Sequence, residues 1–198
     1  MGYTYGLFIY ENAACFDFTG PLDVFNISNI IVKEGRVLTI AQDKGKVRCS
    51  GGLEVLPKHS IADAPPLDIL LVPGSENPTL GLSEDHPAVR WIGQQADKVK
   101  FMTSVCTGAV ILQLAGLLAN HKATTHWMYA EQLAADKSIK MMPEMRYVRD
   151  GNIVTSQGVS AGIDMALWLV GQLHSPEHAR MVRKVMHYDP APPYTAEV

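Results

Sequence analysis

An α/β fold, an open and mostly parallel sheet with helices on both faces, follows from three features of this 198-residue chain. Apolar strand-like runs alternate with helix-like segments along its length, which is the pattern of a three-layer sandwich. The run Asp68-Ile-Leu-Leu-Val-Pro73 is continuously apolar, as a strand is when both faces of its sheet are covered. The β-leaning run 99–103 passes through Ser104-Val-Cys106-Thr-Gly108 straight into the apolar helix-like segment Ala109-Val-Ile-Leu-Gln-Leu-Ala115.

In chain order, residues 3–10 read as a first strand. A helix is predicted over 17–31, with Thr19 and Pro21 as start signals. Residues 36–41 form a short strand, and 47–49 with 52–56 flank Ser50-Gly51 as a small hairpin. The strand 68–73 precedes a helix over 87–96, then the 99–103 strand and the helix after Cys106. Residues 122–125 are short and extended, and 128–135 are helical. Residues 145–149 and 152–155 flank Asp150-Gly151, a strong hairpin signal. Helices over 160–173 and 176–186 follow, and the proline-rich stretch 189–194 cannot be helical. No internal repeat, linker or low-complexity segment interrupts this order, so a single domain over 1–198 is expected.

Composition narrows the function classes. Net charge is −3, and the short group at 180–184 is the one basic cluster, so nucleic acid is not an expected partner. No run of 18 apolar residues exists, so no membrane span is expected. Three cysteines, Cys15, Cys49 and Cys106, without C-x-x-C spacing argue against a disulfide framework and a zinc site. The first residues show no basic region ahead of an apolar one, so no signal peptide is expected. A cytoplasmic protein with free thiols fits these features.

The segment around Cys106 has a small residue on either side of a nucleophile, between strand and helix. It reads as a nucleophile elbow with cysteine in place of serine. Such a turn lifts one side chain out of the backbone and aims the next helix's first N–H groups at it. A depressed thiol pKa is therefore expected. The plainer reading is a small buried hydrophobe, although that would not need Ser104 and Gly108 as neighbours.

In open α/β sheets, sites lie outside the carboxyl ends of the strands. The turn at 11–19, the loop Pro73-Gly74-Ser75 and the Cys106 elbow all fall there. Asp17, between Phe16 and Phe18, has two readings. One is a helix N-cap or first-turn acid, which the local sequence favours. The other is a carboxyl with a raised pKa in an apolar pocket, able to carry a proton near neutrality. Gly74 is either a turn glycine or a backbone N–H donor to a substrate atom.

Leu71-Val-Pro-Gly74, Ser104-Val-Cys106-Thr-Gly108 and Ala123-Thr-Thr-His126-Trp127 occur in that order in the ThiJ/PfpI superfamily, relatives of class I glutamine amidotransferases, which this chain resembles. Asp17-Phe-Thr-Gly-Pro-Leu-Asp-Val-Phe25, Val148-Arg-Asp-Gly-Asn152, Gly158-Val-Ser-Ala-Gly-Ile-Asp164 and Tyr188-Asp-Pro-Ala-Pro-Pro193 make it similar to the isonitrile hydratase subgroup. The same core resembles the N-terminal domain of certain AraC-like regulators.

The resemblance implies a flavodoxin-like sheet and, residue by residue, a set of site positions. Cys106 takes the place of the nucleophile and Asp17 that of the facing acid, which is glutamate in many members. Thr107 follows the nucleophile, Gly74 is the backbone donor, and Ser75 adds a side chain where many relatives have a second glycine. His126 matches a residue near the cysteine in some members, and is equally read as a structural histidine at a strand-to-helix junction. Peptidase-like and glyoxalase-like members carry histidine directly after the cysteine. Thr107 in that place counts against their chemistry.

The implied reaction adds water to an isocyanide, giving an N-substituted formamide. Thiolate attack and a proton from Asp17 give a thioimidate, which water then resolves, with no metal or cofactor. The alternatives are a hydrolase or glyoxalase, a protein whose Cys106 is oxidised as a sensor, and a regulator-like ligand-binding domain. A DNA-reading regulator is disfavoured because 198 residues leave no room for a helix-turn-helix pair. The expected partner is a small molecule. A homodimer is expected from family habit and from the apolar helix 17–31.

Overall fold

The computed structural model describes residues 2–190. Strand β1 (Thr4–Phe8) leads into helix α1 (Cys15–Val32), then β2 (Arg36–Ala41). A small hairpin, β3 (Val47–Arg48) and β4 (Glu54–Val55), is followed by β5 (His59–Ser60) and β6 (Ile69–Val72). Helix α2 (Pro87–Gln95), β7 (Phe101–Val105) and α3 (Gly108–Leu114) come next. The chain continues through β8 (Lys122–Ala123), α4 (Ala130–Ala134), β9 (Lys140–Met141), β10 (Tyr147–Asp150) and β11 (Ile153–Ser156). Helices α5 (Ala161–Leu173) and α6 (Pro176–Val185) close the described chain.

The seven-stranded sheet runs β10-β11-β7-β6-β1-β2-β5, and every pair is parallel except β10 with β11. Successive residues of β6 show why both faces are buried. Ile69 and Leu71 join the core with Phe18, Phe25 and Leu169, under α1 and α5. Leu70 and Val72 join the opposite core with Ile92, Ile111 and Leu112, under α2 and α3. Period-2 alternation thus divides one apolar run between two cores. This is the predicted α/β sandwich.

Differences are concentrated at element ends. Helix α1 begins at Cys15, so Thr19 and Pro21 lie inside it and mark no start. The Thr19 hydroxyl bonds back to the Cys15 carbonyl at 2.8 Å, and Pro21 has no N–H to return to Asp17. The β10–β11 turn is centred on Gly151-Asn152, because Asp150 pairs with Ile153. The two-residue strands β5 and β9 were too short to show a period. In the predicted non-helical stretch, Asp189 and Pro190 lie outside any helix, and 191–194 fall outside the described residues. No helix among the described residues is long and apolar enough to cross a membrane.

Candidate active site

Cys106 stands between β7 and α3 with φ of 58°, a left-handed backbone that a cysteine adopts only under constraint. Two glycines let the elbow form. A Cβ on Gly108 would lie 2.2 Å from the Val72 carbonyl oxygen. A Cβ on Gly74 would lie 2.6 Å from the Thr107 nitrogen and 2.9 Å from the Cys106 Cβ. The strand-end loop after β6 therefore presses against the nucleophile turn, backbone to backbone. The Cys106 N–H donates to the Gln157 carbonyl at 3.2 Å, and the Thr125 hydroxyl donates to the Cys106 carbonyl at 2.8 Å.

Thr107 locks the same contact. Its hydroxyl donates to the Ser75 carbonyl at 2.7 Å and accepts the Ser75 N–H at 2.8 Å. Thr107 is buried. Ser75 is 95% removed from solvent.

Asp17 is completely buried on the third residue of α1. It caps nothing in its own helix. Oδ2 accepts the Gly74 N–H at 3.0 Å and Oδ1 accepts the Val159 N–H at 3.1 Å. Val159 holds φ of 55°, costly for a β-branched residue, and this backbone aims its N–H at the carboxyl. The N-cap position itself belongs to Ala14. Asp17 is therefore not the N-cap, although it is the first-turn acid that the plainer reading also allowed. Gly74 is set aside as a free donor to substrate, because its N–H is taken up by Asp17.

Burial pushes the Asp17 carboxyl up to about 6, against the pull of the Gly74 and Val159 N–H groups and the facing Cys106 thiol. Burial also pushes the Cys106 thiol up to about 12, helped by the Asp17 charge and only partly offset by the Thr107 N–H. The expected depressed thiol is therefore corrected. Helix α3 has only seven residues, and its N-terminus cannot outweigh desolvation plus a facing carboxylate. At neutral pH the resting pair is a carboxylate beside a protonated thiol.

His126 does not join this pair. Its ring lies against Gly158, where an added Cβ would meet Cδ2 at 2.4 Å. Its Nδ1 accepts the Met128 N–H at 3.3 Å, capping the turn Trp127–Tyr129. Three participants escaped the sequence reading. Val159 and Gln157 act through backbone atoms, which leave no side-chain signal. Tyr10, a polar tip ending the first apolar run, donates to the Pro73 carbonyl at 3.1 Å. Burial raises its phenol, and the Asp17 and Cys106 charges add to that. Among the described residues, no group of three or more His, Cys, Asp or Glu is placed to hold a metal ion.

The DJ-1/PfpI family model matches residues 6–172, which include both the elbow and Asp17. The chain belongs to the DJ-1/PfpI family. It is 36% identical over 195 residues to an isonitrile hydratase of Pseudomonas putida, spanning 98% of this chain and 82% of that protein. It is 26% identical over 188 residues to the HTH-type transcriptional regulator GbdR of Pseudomonas aeruginosa (strain UCBPP-PA14), covering 93% of this chain and half of the regulator. A crystal structure of a ThiJ/PfpI family protein from Pseudomonas syringae superposes with a TM-score of 0.89 at 30% identity, covering all of this chain and 80% of that one.

Proposed function

We propose that this DJ-1/PfpI protein is an isonitrile hydratase-type lyase, with Cys106 as nucleophile and Asp17 as proton carrier. The observation that carries the reading is the fully buried Asp17 carboxyl facing the Cys106 thiol, with a pKa raised to about 6. The similarity to an isonitrile hydratase along 98% of the chain supports it. Cys106 is itself only 9% exposed. A slim, linear head group such as a terminal isocyanide carbon can reach a thiol so enclosed, where a branched carbonyl is hindered.

The isocyanide carbon must gain both a nucleophile and a proton. The Asp17 carboxylate takes the thiol proton as Sγ bonds to that carbon, and then returns the proton to the same carbon. The product is a thioimidate, R–N=CH–S–Cys106. Asp17, again a carboxylate, draws a proton from water as the water oxygen adds to the thioimidate carbon. Nitrogen gains a proton, the C–S bond breaks, and N-substituted formamide leaves with the thiol restored. One proton shuttle serves both halves, which suits a group titrating near neutrality. Thr107 and Ser75 hold the elbow, Gly74 and Val159 hold the carboxylate, and His126 walls the site behind Gly158.

A raised thiol disfavours oxidation of Cys106 as the principal activity, because the thiolate is the form that reacts with peroxide. The direct test is turnover of a simple alkyl or aryl isocyanide, followed as formamide appearance, with Cys106→Ala alongside. Wild-type turnover and none in a folded Cys106→Ala are expected. Equal rates in the two would overturn the proposal.

A further inference from the structure

The two cysteines outside the site are not independent core residues. Cys15 is the first residue of α1 and is partly exposed, while Cys49 is buried at the end of β3. Ser50, next to Cys49, holds Cys15 at three points. The Ser50 carbonyl accepts from the Cys15 thiol at 3.0 Å, and the Ser50 hydroxyl accepts the Cys15 N–H at 3.1 Å and donates to Cys15 Sγ at 3.6 Å. The Ser50 N–H returns to Ala13 at 2.9 Å, and the Arg48 carbonyl accepts the Asn12 N–H at 2.8 Å. The hairpin β3–β4 is thus stitched to the entry of α1 through Arg48 and Ser50, the two neighbours of Cys49. Cys49 directly precedes the Ser50 that grips the Cys15 sulfur, so the two side chains leave adjoining backbone, and Cys15 adds to the burial that raises the Cys49 thiol.

We propose that Cys15 and Cys49 form a reversible intramolecular disulfide when the protein meets hydrogen peroxide. Cys15, the accessible partner, reacts first: its sulfur gains oxygen from the peroxide, giving a sulfenic acid and one water. The Cys49 sulfur then attacks that sulfur, the S–O bond breaks, and the second water leaves with the Cys49 proton. Two thiols lose two electrons and one peroxide is reduced, so no further reactant is needed. Burial, with Cys15 adding to it, holds the Cys49 thiol up at about 11, which slows the second step. The bond would tie the hairpin to the helix that carries Asp17 two residues further on. The disulfide does not depend on the reaction proposed for Cys106.

Peptide mapping of the full chain after hydrogen peroxide tests this, in wild type and in Cys106→Ala. A peptide linked through Cys15 and Cys49 is expected in both, cleaved by dithiothreitol and absent from Cys15→Ser. In Cys49→Ala, where no resolving thiol remains, Cys15 should advance to sulfinic acid. Recovery of Cys49 as a free thiol beside over-oxidised Cys15 in the wild type would overturn the proposal. A bond from either cysteine to Cys106 or to a second chain would overturn it equally.

Discussion

The Thr107 hydroxyl and the Ser75 backbone bond each other twice, as donor at 2.7 Å and as acceptor at 2.8 Å. A single hydroxyl thus satisfies two buried backbone groups at the meeting of the β6 loop and the nucleophile elbow. Thr107→Val keeps the shape and removes both bonds. Each buried group left unpaired costs about 1–3 kcal/mol. Urea denaturation should show the variant less stable by at least that amount, and formamide production should fall with it. Thr107→Ser should behave nearly as wild type. An unchanged midpoint in Thr107→Val would show that the loop and elbow do not depend on this pair.

Asp17→Asn separates proton transfer from structure. The asparagine oxygen can accept one of the N–H groups of Gly74 and Val159, while its amide must face the other. Some loss of stability is expected, with the fold kept. Losing the proton carrier should lower kcat by ~10²–10⁴-fold. Cys106 should still be alkylated by iodoacetamide. Turnover at the wild-type rate would reduce Asp17 to an anchor for two loops.

The pH profile distinguishes a carboxylate-activated thiol from a free thiolate. With Asp17 near 6 and Cys106 near 12, the active pair exists between those values. kcat/KM should rise through an apparent pKa near 6 and then stay level into the alkaline range. Iodoacetamide labelling of the resting protein should have a midpoint well above the ordinary thiol value of about 8.5. A rate limb at 8–9 would mean that the thiolate forms without help from Asp17.

The same carboxyl sets a stability term of known sign. Its folded value of about 6 lies above the ordinary 3.8, so the folded chain binds more proton between those values. Stability from this group is present below pH 4, is lost as pH rises through 6, and stays lost above. A two-unit displacement corresponds to about 3 kcal/mol. Unfolding free energies of Asp17→Asn and wild type, measured from pH 4 to 7.5, should diverge in slope across that window. Parallel curves would contradict a raised Asp17.

Phe16 and Val159 are 48% and 46% exposed beside the buried Asp17, and Leu53 is 46% exposed on the hairpin. Exposed apolar side chains on α1, beside Asp17 and on the hairpin favour a homodimer that covers them. Light scattering at micromolar concentration should give about twice the 21.7 kDa chain mass. A monomer mass would refute the dimer.

Much of the molecule was written locally. Continuous or alternating apolar runs set the strands, and small residues around Cys106 set the elbow, because side-chain period and turn sterics act over a few residues. The placement of Asp17 was different. Its partners lie 57 and 142 residues away in sequence, at Gly74 and Val159, and only the assembled sheet brings them together. The thiol shows the same division. A helix N-terminus after Cys106 is legible in the sequence and argues for a low pKa. Desolvation and a facing carboxylate argue the other way and prevail, because they are set by everything the tertiary structure packs around the sulfur. The contact of Cys15 with Ser50 likewise exists only where the hairpin folds back onto α1. The sequence by itself determined which groups could do chemistry. The tertiary structure decided which state of protonation each would rest in.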